Sequence, residues 1–326
     1  MKFRLLIFPI ALALTLVGLA FGKVYFREYQ QVLVENNPAS SLGIDHDRNM
    51  YKMPFTASLQ QLELEKYASG KLKQIYAYVQ IQDGHETSLQ IVSVNHPQKH
   101  KPYWIYLEDF KPAVGNQPAM VEIKYVRQPG IFWVYIGLFL FIMASLWWMG
   151  DVIIHRFALV SRGHFWGLVI GLGLVTTILL LANPMMRHVE VPPILRSVWF
   201  LPHVITYVLS YSFLLLAFVF SGTECMKKEG NSASFAFFQI GTAWFTMGLA
   251  LGMIWAKSAW GDFWGWDPKE TAALITWTVC LMINHLAYFK TIKQPFWFVL
   301  QWLCLLVLIM GWLGVQWFKM GGQHVY

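Results

Sequence analysis

Four tryptophans fall within twelve residues, in Trp255-Ala-Lys-Ser-Ala-Trp260-Gly-Asp-Phe-Trp264-Gly-Trp266-Asp267-Pro268-Lys269-Glu270-Thr271. Indole rings offer broad, polarizable faces and one N–H donor each, so such a segment can hold a large planar aromatic ligand. Lys257 and Lys269 lie close enough in sequence to meet carboxylates on that ligand. Gly261 and Gly265 permit close approach of backbone or ligand. A structural account competes with this one, because tryptophan is enriched at membrane interfaces in any case. Asp267, Pro268 and Glu270 also have the order of an N-cap, a first helical residue and a capping-box partner, which starts a helix whatever else they do. A capping box contributes about 1–2 kcal/mol and leaves the tryptophans unexplained.

The elements that must carry this segment are membrane helices. Hydrophobic residues make up 56% of the 326 residues and charged ones only 13%, too little polar surface for a soluble domain. The formal net charge of +7 sits in short segments between apolar runs. That distribution reads as membrane topology and not as nucleic-acid binding. Seven runs approach the roughly 20 residues a spanning helix needs: 5–22, 131–150, 164–182, 201–221, 235–255, 271–289 and 295–314. The first follows Lys2 and Arg4, is longer than a signal-peptide core and lacks an A-x-A site, so it reads as a retained anchor. Lys2, Arg4, Arg156, Arg162, Lys227, Lys228, Lys290 and Lys293 mark one set of loops as cytoplasmic. Residues 23–129, 183–200, 256–270 and the C-terminal tail then face outward.

Residues 23–129 are the one sizeable segment outside these runs. Their beginning, 35–49, is polar and reads as loose. From there the pattern turns β-like: residues 75–81 alternate, Asp83-Gly84 is a turn signal, and 88–94, 103–107 and 120–126 are further strands. The expected fold is a polytopic α-helical membrane protein of about seven transmembrane helices, with a small extracytoplasmic β-rich domain between the first two. The three cysteines, Cys225, Cys280 and Cys304, form no CxxC, and the latter two read as small buried hydrophobes. A thiol oxidoreductase is thereby disfavoured. The chain has no CxxCH of its own and no Walker A motif, which excludes a c-type cytochrome and direct ATP hydrolysis.

Trp260-Gly-x-x-Trp264-x-Trp266-Asp267-Pro-Lys-Glu270-Thr resembles the WWD signature of the haem-handling superfamily of cytochrome c biogenesis, in its CcsA or ResC branch. Residues 51–148 resemble the last part of the ResB-type partner, through Met53-Pro54-Phe55-Thr56 to Leu64, Val94-Asn95-His96-Pro97 and Gln128-Pro129-Gly130-Ile131. The resemblance implies a natural fusion: an anchor over 1–22, a ResB-like β-rich domain over 23–129 and a membrane domain over 130–326. The CcsA-like haem-handling region would be 164–326, with the WWD loop at 255–271.

The resemblance also assigns histidines. The family carries one axial histidine before the WWD segment and one after it. His203, in Pro202-His203-Val, and His324, in Gly-Gln-His324-Val-Tyr, match in order. Two neutral imidazoles on opposite faces of a porphyrin complete the iron's axial ligation. His285, inside the 271–289 run, matches a membrane-embedded haem site, for which His155, His164 or another chain would supply the second ligand. His46, His85, His96, His100 and His188 lie in polar stretches and read as solvated.

The implied function is binding, delivery and presentation of haem b for covalent attachment to CxxCH apocytochrome c. Trp260, Trp264, Trp266, Asp267, His203, His324 and His285 would be the haem-binding set. Further partners would be a ResB-like subunit and a thiol reductant protein, in a bacterial inner membrane with the WWD loop and C-terminus extracytoplasmic. The alternatives are a haem carrier or exporter subunit without ligation activity, and a non-haem membrane transporter. No side chain is a convincing general acid or base.

Overall fold

The computed structural model describes residues 4–45, 47–156, 190–228, 230, 232–289, 292, 293 and 295–311. Helix α1 (Arg4–Val24) leads into eight strands: β1 (Arg27–Val34), β2 (Ser40–Asp45), β3 (Met50–Lys66), β4 (Leu72–Asp83), β5 (Glu86–Ser93), β6 (Gln98–His100), β7 (Tyr103–Lys111) and β8 (Met120–Arg127). Helix α2 (Ile131–Arg156), a 3-10 turn (Pro193–Leu195) and helices α3 (Phe200–Lys227), α4 (Ser232–Trp260), α5 (Pro268–Phe289) and α6 (Phe296–Ile309) follow. Five helices, α1 to α5, are long and apolar enough to cross a membrane, whereas α6 is 14 residues long. The chain is an integral membrane protein. The apolar run 164–182 lies outside the described residues.

Helices α1 and α2 pack along a seam of small residues. Ala11, Thr15, Gly18 and Gly22 recur at helical spacing on α1, and Gly130 and Gly137 answer them at and along the start of α2. A Cβ on Gly18 would stand 2.8 Å from the Val134 nitrogen, and one on Gly137 would stand 2.9 Å from the Ala11 carbonyl oxygen. Lipid tails are as apolar as leucine, so such helices gain by close van der Waals approach, which small residues allow.

Between them the strands form one antiparallel sheet in the order β5-β4-β3-β2-β1-β8-β7-β6, whose end strands are joined by the turn bridging Ser93 and His96. The sheet curls around a core that includes Phe55, Leu59, Val79, Ile81, Ile105, Ile123 and Tyr125. In β4, residues 75, 77, 79 and 81 are buried, as their alternation requires. Gly84, at φ +59°, makes the β4–β5 turn.

Two expectations are corrected here. Residues 35–49 are not loose throughout, because β2 pairs with β1 and β3, and the Gln31 side-chain amide donates to the Ser40 carbonyl at 2.9 Å. The buried position of β2 is Gly43, which carries no apolar side chain to signal a strand. His100 is not simply solvated: it ends β6, lies edge-on to Phe55 and stands 3.4 Å from the Asp83 carboxylate.

The sheet leaves a seam. β6 covers β7 only at residues 103–105, and β5 covers β4 only from residue 76 onward. The strip 190–196 fits against the β4 side of that gap. Glu190 pairs with Lys71 at 3.3 Å, Tyr67 donates its hydroxyl to the Val191 carbonyl at 3.2 Å, and the Asn95 amide donates to the carbonyls of Pro193 and Ile194 at 2.8 and 3.0 Å. The β domain is thereby tied to the segment that enters α3.

Overpacking the α1–α2 seam should be felt, since forcing extra methylenes into close contact costs about 1–3 kcal/mol. Gly137→Leu is expected to lower the thermal unfolding midpoint of the detergent-solubilised chain. Gly150→Leu, at a position where an added Cβ meets nothing within 4 Å, should leave it unchanged; equal midpoints for both variants would contradict the packing account.

Candidate functional site

The tryptophan segment is built from a helix end, a turn and a helix start. Helix α4 runs to Trp260, five residues past the expected end of its apolar run, so Trp255 and Lys257 are helical. Gly261, at φ +87°, closes α4, and its N–H reaches the Lys257 carbonyl at 3.2 Å. A Cβ there would also press on Tyr106 and Val126 of the β domain at 3.2 Å. Helix α5 starts at Pro268 in the expected manner. Asp267 Oδ1 accepts the Lys269 N–H at 2.8 Å, and Glu270 Oε2 reaches back to the N–H groups of Asp267 at 3.2 Å and Gly265 at 2.8 Å. Between them Trp266 is held at φ +56°, a left-handed conformation costly for a bulky residue, and the residue is 67% exposed.

His203 comes from the first turn of α3 and lies on α4. Its Nδ1 is 2.9 Å from the Gly248 carbonyl oxygen. A carbonyl only accepts, so this contact places the proton on Nδ1 and the lone pair on Nε2, the arrangement of a metal-binding imidazole oriented by a backbone carbonyl. The ring rests over Gly252, where a Cβ would be 2.7 Å from Cε1. Tyr207 meets the ring edge-on at 4.9 Å, and Trp255 packs against it at 5.7 Å.

His203 lines a cavity of about 300 Å³, within the range of small-molecule sites. Helix α3 adds Tyr207 and Tyr211, α4 adds Phe245, Leu249 and Met253, and the loop adds Phe263 and Trp264. The start of α5 contributes Lys269 and Glu270, and Leu308 and Gly311 close the far side. The walls are aromatic and aliphatic, with one imidazole, one ammonium group and the Glu270 carboxylate, which is taken up by the N–H groups of Gly265 and Asp267. Such a site suits a flat, apolar, metal-containing ligand with acidic substituents, and that donor set fits a haem.

The tryptophans do not share one surface. Trp264 lines the His203 cavity and meets Trp266 edge-on at 6.1 Å. Trp260 lines a different cleft, against the β domain. Trp255 is buried between the two, 5.0 Å from Trp260, and donates its indole N–H to the Ile194 carbonyl at 3.4 Å. His203, Trp255 and Trp260 therefore form a continuous ring-to-ring wall.

Lys257 corrects the sequence expectation. It is 2% exposed and lines neither cavity. Its ammonium donates to Gln128 Oε1 at 2.7 Å and to the Gly261 carbonyl, with the rings of Tyr106 and Phe263 at 5.8 and 5.6 Å. A buried ammonium needs such partners, and they make Lys257 a tie between the β8–α2 junction and the end of α4. Sequence reasoning gave no place to Gly248 or Gly252, and read Gln128 only as part of a ResB-resembling segment; their roles in the site are visible only once helices and domains are packed.

His285 lies exposed on α5 and lines neither cavity, next to Asn284, whose amide donates inward to Thr242 Oγ1 at 2.9 Å. His155 is 3.5 Å from Asp151 on α2. His324 and His164 lie outside the described residues; Gly311, the last residue described before His324, is part of the cavity lining.

A model of the family described as "Cytochrome C assembly protein" matches residues 127–321, and one of the ResB-like family matches residues 2–125. Curated relatives named cytochrome c biogenesis protein CcsA include that of Chlamydomonas reinhardtii, 33% identical over 122 residues (32% of this chain, 34% of the relative). That of Guillardia theta is 31% identical over 167 residues (39% and 56%), and that of Cyanidium caldarium 30% over 165 (36% and 56%). The chain spans about a third to just over half the length of these relatives.

Removing the Lys257 ammonium leaves buried acceptors without a donor, a cost of about 1–3 kcal/mol. Lys257→Met is expected to speed amide hydrogen exchange across residues 258–267, while Lys269→Met, which leaves that tie intact, is not. Unchanged exchange in Lys257→Met would refute the role of the tie.

Proposed function

The chain belongs to the cytochrome c assembly protein family, and from that premise we propose that it holds haem b in the His203 cavity and presents it to CxxCH apocytochrome c. The observation that carries this reading is the orientation of His203 by the Gly248 carbonyl inside an aromatic cavity that also holds Trp264 and Lys269. His203 Nε2 is one axial ligand of the iron and His324 the other. Trp264, with Tyr207 and Phe263, packs the porphyrin face, and Lys269 meets a propionate. Asp267 and Glu270 hold the loop that carries Trp264 and Trp266. His285 marks a second, membrane-embedded site on the route by which haem arrives.

The attachment adds a cysteine S–H across each haem vinyl group: a C–S bond forms, the hydrogen goes to the neighbouring vinyl carbon, and nothing is oxidised or reduced overall. The protein's contribution is proximity and orientation, since haem and thiolate supply the reactivity. Among the described residues no group is placed as an acid or base for it. A thiol reductant protein keeps the acceptor cysteines reduced. The chain sits with about seven spans in a bacterial inner membrane, with the tryptophan loop and C-terminus extracytoplasmic. The β domain of the ResB-like part lies on the same side, and a further ResB-like subunit is a partner.

The absorption spectrum of the purified chain tests this. The wild type is expected to show the sharp reduced bands of six-coordinate, bis-histidine haem. His203→Ala and His324→Ala should each broaden and weaken them, and the double variant should lose the bands of this site, leaving at most those of haem beside His285. A wild type without haem, or a double variant with the wild-type spectrum, would overturn the reading.

A further inference from the structure

Trp260 lines a second cleft of about 290 Å³, on the far side of Trp255 from His203. The cleft is the seam of the sheet. Its walls are residues 106–110 of β7, Leu72 and Ile75 of β4, the strip 192–194, and Ala259 and Trp260 at the end of α4. From residue 106 to 111, β7 pairs with β8 on one side and, among the described residues, with no strand on the other. Such an edge offers main-chain N–H and C=O groups to an added extended chain, interrupted here by the bulge at Glu108, where β7 slips register against β8. Six residues at about 3.3 Å each give an edge about 20 Å long.

The edge is also acidic. Glu108 and Asp109 line the cleft, and Asp109 faces Glu122 directly across the β7–β8 ladder, where like charges are unfavourable. Lys124, the basic residue of the lining, is shared between Glu28 at 3.3 Å and Glu108 at 3.8 Å. Burial, together with the Glu108 and Asp109 carboxylates, pushes the Glu122 carboxyl above its ordinary range. The unpaired stretch carries Glu108 and Asp109 and ends in Lys111. With Glu28 and Glu122 on the neighbouring strands and Lys124 between them, four carboxylates face two ammonium groups, so the surface complements an extended chain bearing basic side chains.

We propose that this seam docks an extended, lysine-bearing segment of the polypeptide that receives the haem, as an added strand on residues 106–111 with a side chain against Trp260. The identity of the guest rests on the function proposed above; the mode of docking rests on the open edge, the carboxylates and Trp260. The docked segment and the haem then lie on opposite sides of the His203–Trp255–Trp260 wall, so the docked segment is one that flanks the CxxCH motif, and the motif itself reaches the haem beyond the wall's edge.

The probe is a fluorescein-labelled 14-residue peptide containing Cys-x-x-Cys-His between lysines, with both cysteines alkylated so that binding alone is read by anisotropy against the full-length chain. Two further peptides carry N-methyl groups on alternate residues, one set on each strand edge. Methylation of the edge that faces β7 should weaken binding about tenfold or more, the equivalent of one or two main-chain hydrogen bonds, and methylation of the other edge should not. A Glu108→Lys/Asp109→Lys chain should also lose about tenfold, with its haem spectrum unchanged. Equal binding of both methylated peptides, or no peptide binding by a chain that keeps its haem spectrum, overturns the docking proposal alone. So does a photo-crosslinker replacing Phe110 that captures a second copy of the chain and not the peptide. Absence of a His203-dependent haem spectrum overturns the parent reading instead.

Discussion

The contact of His203 with two glycines of α4 is the constraint on which the site depends. The Gly248 carbonyl fixes which imidazole nitrogen keeps its proton, and the bare backbone at Gly252 lets the ring lie against the helix. With the ring there, Trp255 has its neighbour, and Trp260 packs on Trp255 in turn. The first turn of α3 and the last turns of α4 are thus one unit. The cavity on one side and the cleft on the other are separated by that unit, which runs three rings deep from His203 through Trp255 to Trp260.

Both halves of the chain hold this unit in place. From the β side, Gln128 receives the Lys257 ammonium, Tyr106 and Val126 abut Gly261, and Asn95 grips the carbonyls of Pro193 and Ile194 just ahead of α3. From the membrane side, Glu270 pins Gly265 and Asp267, and Trp277 donates its indole N–H to Thr246 at 2.9 Å, joining α5 to α4. Buried polar groups of this kind are worth little when satisfied and much when broken, so the loop geometry should be stiff only while both halves are docked. Fusing a ResB-like part to an assembly-family part guarantees that docking within one chain.

What could be read from the sequence was what has a short period or a local partner. Residues 75–81 alternate and are a buried strand; Asp267, Pro268 and Glu270 are neighbours and begin α5. Strand β2 was hidden because its inward residue is Gly43. The end of α4 was misplaced because the apolar run fades at residue 255, while the true stop signal is Gly261 with its positive φ. That shift turned Trp255 and Lys257 from loop residues into buried helix residues and separated Trp260 from Trp264. The pairing of His203 with Gly248 and Gly252 is 45 residues distant along the chain at the hydrogen bond, and nothing local announces it.

The most direct measurement is a cryo-electron microscopy map of the haem-loaded chain, in which the porphyrin and its iron are located by density. The account predicts the porphyrin between His203 and Trp264, with iron on His203 Nε2, the ring still seated over Gly252, and the Trp260 cleft free of porphyrin. A porphyrin held beside His285 alone, or in the Trp260 cleft with no bond to His203, would contradict it.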